Sequence, residues 1–507
     1  MSAVPRSTRK RRSSPRRRSS PPSSSRSNTS PSPAPRPFST PSSEAAAAMA
    51  AERAELWPVK PALVALTLAA LVTIPQYIPY QYDLRLFDWG TVSSLLEFRP
   101  PTETAAAGAG LEGAEEMIPV KNPASRLHDP KEALEPLFEK LYALERGRAK
   151  GPVRILHYGD SPTTGDLITA DVRELLQQRF GDAGHGTYLI AKPWAWYGHR
   201  GVNVKAEGWT IRPATLRKEK DGRYGLAGVS FTGGAGAWST FQLSRGGTTR
   251  VVVSYEAQPG GGTVEIKAGE LEIGSLATGS ETAGWMERSF AVPAGERSLT
   301  LRVKEGQVRL YSIALFKDQP GVVYDSLGLN GTWAGVLASY VNEAHWAGAL
   351  RAADPDLVVI NYGTNESGFP SYIEGGYEKD LREILRRLRT ALPGAPVLLM
   401  SPMDRGAREA SGQIGTIASL PKLVALQERI AAETGVAFFN TFEAMGGPGT
   451  MGRWYKGEPR LVSADFIHPI PAGARIVGTL LYQALIDGFH RYKLKQLRQT
   501  IAEARPK

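Results

Sequence analysis

The chain contains no cysteine among its 507 residues, which rules out disulfides, thiolate nucleophiles and cysteine-bound zinc. That leaves the redox compartment open, since a cysteine-free chain works as well in an oxidising as in a reducing environment. It also carries little net charge outside its N-terminus. Of the formal net charge of +11, residues 1–60 supply 12 Lys/Arg against only Glu44, Glu52 and Glu55. The remaining 447 residues are close to neutral, and we expect no nucleic-acid partner. Histidine is scarce, at 7, and His185 and His199 have flanking glycines but no carboxylate at ligand spacing. We expect loop histidines, no metal and no cofactor. No repeat at solenoid period is present.

What is present changes character along the chain. Residues 1–57 are Ser/Pro/Arg-rich and nearly free of aliphatic side chains, so they cannot offset the entropy of ordering and read as a disordered basic tail. Residues 58–80 are apolar over PALVALTLAALVTIPQYIPY, about the length needed to cross a hydrocarbon core of about 30 Å. Basic residues before it and Tyr77, Tyr80 and Tyr82 at its far end predict a single-pass anchor with the tail cytoplasmic and the rest of the chain outside. A cleaved signal peptide is the alternative, but no small-x-small site follows. Residues 81–125, with PPTETAAAGAGLEGAEE, read as a linker.

From Lys131 to Arg148 apolar residues recur at three and four, predicting a helix. An apolar strand, Val153 to Tyr158, runs into Gly159-Asp160-Ser161 and then a helical pattern from about Thr164 to Phe180. The alternation resumes with strands at 356–363, 396–402 and 436–440, helices across 378–391 and 423–433, and a closing helix over 472–500. Continuous apolar strands between helices predict an α/β fold with a doubly wound parallel sheet, in two parts, 126–200 and 321–507. Between 201 and 320 the pattern becomes short alternating strands with Gly-rich turns, which predicts an inserted all-β domain of sandwich or jelly-roll type.

Ser161 follows a buried strand on a turn that opens a helix, where a nucleophilic serine gains from free N–H groups. Asp465 and His468, three apart in DFIH and followed by Pro469 and Pro471, place a carboxylate beside an imidazole on a rigid loop. Alone, each motif is ordinary turn or cap chemistry. Four motifs in order are not: GDS at 159–161, GLNG at 328–331, GTN at 363–365 and DFIH at 465–468 resemble the sequence blocks of the SGNH (GDSL-type) hydrolases. The resemblance implies Ser161 as nucleophile, His468 as general base and Asp465 as its orienting acid. It implies an oxyanion hole from the backbone N–H groups of Ser161 and Gly331 and the amide of Asn365. FTGGAGAW at 231–238 is the rival glycine block, and Glu366 stands where the third block usually continues with Asp.

The stretch 180–202, a β-rich insert and YDSLGLNG are similar to bacterial peptidoglycan O-acetylesterases, which carry a carbohydrate-binding-module-like domain at that point. This implies a serine esterase that removes acetyl groups from an extracytoplasmic polysaccharide, with peptidoglycan first among them, in a bacterial inner-membrane protein facing the periplasm or cell exterior. Trp194, Trp196 and Tyr197, with Trp238 in the insert, are the sugar-facing candidates, since aromatic faces pack on pyranose C–H faces. They read equally as core or interdomain packing, as does Trp209. O-acetyl transfer through the same acyl-enzyme and an inactive wall-binding protein are the alternative functions.

Overall fold

The computed structural model describes residues 126–503. The expected tail (1–57), anchor (58–80) and linker (81–125) lie outside the described residues. Among the described residues no helix is long and apolar enough to cross a membrane.

In chain order the first elements are β1 (Leu127–His128), α1 (Glu135–Glu145), β2 (Pro152–Gly159), α2 (Ser161–Thr164) and α3 (Thr169–Phe180). The inserted strands follow: β3 (Gly186–Leu189), β4 (Val202–Pro213), β5 (Val229–Leu243), β6 (Arg250–Ala257), β7 (Thr263–Ala268), β8 (Leu271–Ala277), β9 (Gly284–Ala291), β10 (Ser298–Glu305) and β11 (Gln307–Phe316). The α/β pattern then returns with β12 (Gly321–Gly328), α4 (Glu343–Ala353), β13 (Leu357–Asn361), α5 (Glu378–Ala391) and β14 (Val397–Met400). It closes with the hairpin β15 (Gly406–Arg408) and β16 (Ile414–Thr416), then α6 (Ser419–Thr434), β17 (Ala437–Phe439), α7 (Thr441–Ala444), α8 (Thr450–Lys456) and α9 (Pro471–Glu503).

The α/β sheet runs β1-β17-β14-β13-β2-β12. All its neighbours are parallel except the edge strand β1. Alternate side chains serve opposite faces, as a strand buried on both sides requires. Ile155, Tyr324, Val359, Leu398 and Phe439 pack under α1, α3 and α9. Leu156, Tyr158, Val358, Ile360 and Leu399 join a second core with α4, α5 and α6. The strand order reverses between β2 and β13, and in open α/β sheets the crevice beyond the strand C-termini at such a reversal is where ligands bind.

The helix expected from about Thr164 to Phe180 is α3, which starts at Thr169, and a separate turn of helix, α2, precedes it. Gly165 caps α2 and Asp166 adopts φ +53°, a left-handed conformation that ends an α-helix. The Asp166 carboxylate holds this break, accepting from Arg173 Nη1 and Nη2 at 3.0 and 2.6 Å, Thr169 Oγ1 at 2.6 Å and the Arg200 backbone N–H at 2.9 Å.

The insert is a single antiparallel sheet of nine strands rather than two separate ones. The first part of β5 pairs with β11, from Phe231↔Leu310 to Gly234↔Gln307, and its second part with β10, from Trp238↔Arg302 to Gln242↔Ser298. Strand β4 follows β5 along its length and takes a bulge between Glu207 and Trp209. This is how a strand turns a corner between two layers, and the layers close over Phe231, Phe241, Ile266, Leu301 and Leu310. The sheet starts before the boundary expected at 201, because β3 adds to β11. Its core is continuous with the second face of the α/β sheet. Tyr158 of β2 marks the junction: its hydroxyl donates to Leu226 O and accepts from Trp346 Nε1, both at 3.1 Å.

Candidate active site

Ser161 begins α2 directly after β2, so its N–H belongs to the group of first-turn amides with no acceptor inside a helix. Only four residues long, α2 contributes little dipole beyond those amides. The parallel register of β12 with β2 ends at Gly328↔Gly159, and Leu329 N donates to Gly159 O at 3.0 Å. The GLNG loop therefore leaves the sheet beside the GDS turn. Gly328 must be glycine, since a Cβ there would lie 2.0 Å from Thr164 N. Gly331 adopts φ +65° in open space, so its requirement is conformational rather than steric. The rival glycine block, 231–238, lies within β5 of the insert.

Asn365 Nδ2 donates to Thr332 O at 2.8 Å, which joins the GTN loop after β13 to the GLNG loop and leaves one amide hydrogen of Asn365 to point elsewhere. Arg405 Nη1 donates to Thr364 O at 2.7 Å, and Gly406 N donates to Phe466 O at 2.9 Å. Those two bonds tie DFIH to GTN. Within DFIH, His468 Nδ1 and Asp465 Oδ2 are 2.6 Å apart. Asp465 Oδ1 accepts from Ser463 Oγ at 2.8 Å and from the backbone N–H groups of Ile467 at 2.9 Å and His468 at 3.0 Å. Phe466, between them, has φ +60°, as the tight turn demands. All four motifs are thus joined loop to loop at one end of the sheet. Among the described residues the Ser161 hydroxyl has no hydrogen-bond partner, and its neighbour Asp160 is one of the residues whose charge acts on His468.

The electrostatics suit a base. The hydrogen bond that His468 donates to Asp465 raises its pKa above the ordinary value of 6.5 against the pull of burial, and the charges of Asp465 and Asp160 add to it against that of Arg405. Burial pushes the Asp465 carboxyl up, but the bonds from His468 and the loop amides outweigh it and hold it far below the usual carboxylate range. A base acts when neutral, so a raised imidazole pKa delays activity to higher pH. We expect kcat/KM for p-nitrophenyl acetate to rise with pH through a midpoint above 6.5. A stopped or continuous assay from pH 5 to 9 reads this, and a midpoint below that value would remove Asp465 from the role.

Three further residues shape the site: Asp160 within GDS, Glu366, noted in the sequence only as a departure from the family pattern, and Arg405, which no motif marked. Asp160 is buried, with Oδ2 unpartnered, and burial lifts its carboxyl to about 6 against Thr364 and the charges of His468 and Arg405. Arg405 lies under the GTN loop between Asp160 and Asp465, and burial lowers its pKa. Glu366 is buried and accepts from Gly363 N at 3.0 Å and Ala334 N at 2.9 Å, so the longer side chain that departs from the family pattern bridges the GTN and GLNG loops. Burial raises its carboxyl to about 7 although those amides oppose the shift. Glu366→Ala strands two buried N–H groups, and we expect about 2–4 kcal/mol lower unfolding free energy in urea, with activity falling about tenfold.

The aromatic candidates separate. Tyr197 is core, 3% exposed, with its hydroxyl accepting from Leu189 N at 2.9 Å. Trp194 is partly buried against the insert core. Trp238 sits on β5 opposite Arg302 and Glu207, and its carbonyl accepts from Trp209 Nε1 at 2.9 Å. Trp196 is 58% exposed beside the GLNG loop. The half-buried His185 and the buried His199 face each other at 3.2 Å, and among the described residues no group of three His, Cys, Asp or Glu is placed to hold a metal.

These four loops lie at one end of a parallel α/β sheet resembling that of the SGNH (GDSL-like) hydrolases, and the family match supports a hydrolytic esterase. Residues 289–476 match the GDSL-like Lipase/Acylhydrolase family, a span that includes the GLNG, GTN and DFIH motifs. The fold is similar to that of a peptidoglycan O-acetylesterase, at 23% identity and a TM-score of 0.62, covering 72% of this chain and 99% of that one. Weaker similarities are to the salicylyl-acyltransferase SsfX3 of a tetracycline biosynthetic pathway (14% identity, TM-score 0.26, 59% of this chain and 96% of that one). A family two carbohydrate esterase of Clostridium thermocellum in complex with cellohexaose stands at 12% identity and TM-score 0.26, over 57% and 100% of the two chains. No curated protein matches the sequence.

Proposed function

We propose that the protein is a serine esterase that removes O-acetyl groups from an extracytoplasmic polysaccharide, with peptidoglycan as the leading substrate. The observation that carries this reading is the Asp465–His468 pair at 2.6 Å, on a loop bonded through Arg405 and Gly406 to the one that bears Asn365. In the reaction Ser161 Oγ attacks the acetyl carbonyl and His468 Nε2 takes its proton. The oxyanion receives hydrogen bonds from the N–H groups of Ser161 and Gly331 and from the free amide hydrogen of Asn365. Collapse expels the sugar oxygen, which takes the proton from His468, and leaves acetyl-Ser161. A water deprotonated by His468 then releases acetate and restores the serine.

The acetyl-glycan assignment draws on the resemblance to peptidoglycan O-acetylesterases. An N-terminal anchor over 58–80, with the positive tail inside, would hold the catalytic unit on the wall side of a bacterial inner membrane. The test is acetate release from O-acetylated peptidoglycan, measured beside a base-treated, deacetylated control and in the presence of an acceptor glycan. We expect free acetate from the acetylated wall alone. Acetate appearing on the acceptor instead would make the protein a transferase, and no change in either would overturn the glycan assignment.

A further inference from the structure

Trp196 stands apart from the other tryptophans. Among the described residues it is the one tryptophan in the set of exposed large apolar side chains, at 58%. The arm that carries it is held at both ends. The turn closes with Tyr197 N donating to Trp194 O at 3.1 Å, while the Tyr197 ring is sunk in the core and bonded to Leu189 N. Beyond the arm, Arg200 N is fixed at 2.9 Å to Asp166, the residue that separates α2 from α3. An exposed indole on a rigid mount next to a reaction centre presents a flat apolar face at little entropic cost.

Its polar edge is used as well. Trp196 Nε1 donates to Asn330 Oδ1 at 3.2 Å. Asn330 directly precedes Gly331, the residue whose left-handed conformation aims one backbone N–H of the proposed oxyanion hole. Nothing lies within 4 Å of where a Gly331 Cβ would be, so packing does not hold that turn on the solvent side. The bond from the indole restrains it.

We infer that Trp196 is both the stacking floor for the sugar bearing the ester and the positioning residue for the Gly331 donor. Binding of sugar and stabilisation of the oxyanion are thereby coupled through one side chain. The inference rests on the esterase reading given above. It separates into two readouts, because p-nitrophenyl acetate has no sugar to stack.

The experiment compares Trp196→Phe, Trp196→Ala, Asn330→Ala and the Trp196→Phe/Asn330→Ala double variant on p-nitrophenyl acetate and on O-acetylated peptidoglycan. On the small ester, Trp196→Phe and Asn330→Ala each lower kcat by roughly three- to tenfold, and the double variant is no worse than either single one. On the glycan, Trp196→Ala raises KM roughly tenfold, whereas Trp196→Phe, which keeps a ring, leaves KM near the wild-type value. An unchanged kcat in Trp196→Phe, or additive losses in the double variant, overturns the coupling. An unchanged glycan KM in Trp196→Ala overturns the stacking role. A wild-type protein active on the small ester and inactive on the glycan removes the substrate reading and the stacking role together, and the kcat comparison still decides the coupling.

Discussion

Replacing Ser161 by alanine is expected to lower kcat for p-nitrophenyl acetate by about 10⁴-fold or more, with no loss of the folded state. The size follows from what remains. An oxyanion hole and a binding site without their nucleophile still accelerate a reaction over water, but only through uncovalent attack, and removal of a triad serine collapses nearly all of the rest. The absence of a structural penalty follows from the surroundings. Among the described residues the Ser161 hydroxyl has no partner, so its loss leaves no buried group unsatisfied. Alanine is also a good helix former at the start of α2. Circular dichroism and the thermal midpoint of the variant should overlay those of the parent. Retained turnover would place the nucleophile elsewhere, and lost turnover with an unfolded protein would make the serine structural.

The α/β part of this architecture could be read from the chain because its signals are local. Helix α5 spans Glu378–Ala391, as its apolar spacing predicts, and the strands at 357–361, 397–400 and 437–439 fall inside the apolar runs that mark them. The insert announced itself by alternation. What could not be read depends on residues far apart in sequence. Asp166 separates α2 from α3 because Arg173 and the Arg200 amide meet there. Strand β3 is four residues, too short to show a pattern, and exists because β11 offers an edge. Trp196 and Tyr197 are neighbours of similar composition with opposite fates, settled by a turn that sends one ring outward and the other into the core.

The same division holds at the site. The motif residues were visible because their types and order carry the resemblance, whereas Asp160, Glu366 and Arg405 act through burial and through contacts between loops. The family match begins at residue 289, so the GDS turn lies outside it, cut off from the later motifs by the inserted strands. Only the parallel pairing of β12 with β2 restores that turn to its place. Glu366 shows what a single methylene can do: its two oxygens reach Gly363 and Ala334 at once, and the loops that carry Asn365 and Gly331 are locked together.

Asp465→Asn is expected to cost about 10³- to 10⁴-fold in kcat while the DFIH loop keeps its shape. The two oxygens of Asp465 have separate tasks. Oδ1 takes the Ser463 hydroxyl and the Ile467 and His468 amides, and Oδ2 faces His468 Nδ1. An asparagine satisfies the three loop donors with its single oxygen, which forces its NH₂ group toward the imidazole. The ring must then accept at Nδ1, so its proton moves to Nε2, the atom that has to accept from Ser161. The catalytic base is present but turned to the wrong tautomer. The carboxylate that raises the imidazole pKa is also gone, so the acid limb of the pH profile moves downward even as the plateau falls. Asp465→Ala provides the contrast: it frees the tautomer but removes the acceptor that closes the DFIH turn on the Ile467 and His468 amides, and should lower thermal stability modestly where the asparagine variant does not. A plateau within tenfold of the parent in Asp465→Asn, or an acid limb that stays in place, would show that His468 does not depend on this carboxylate.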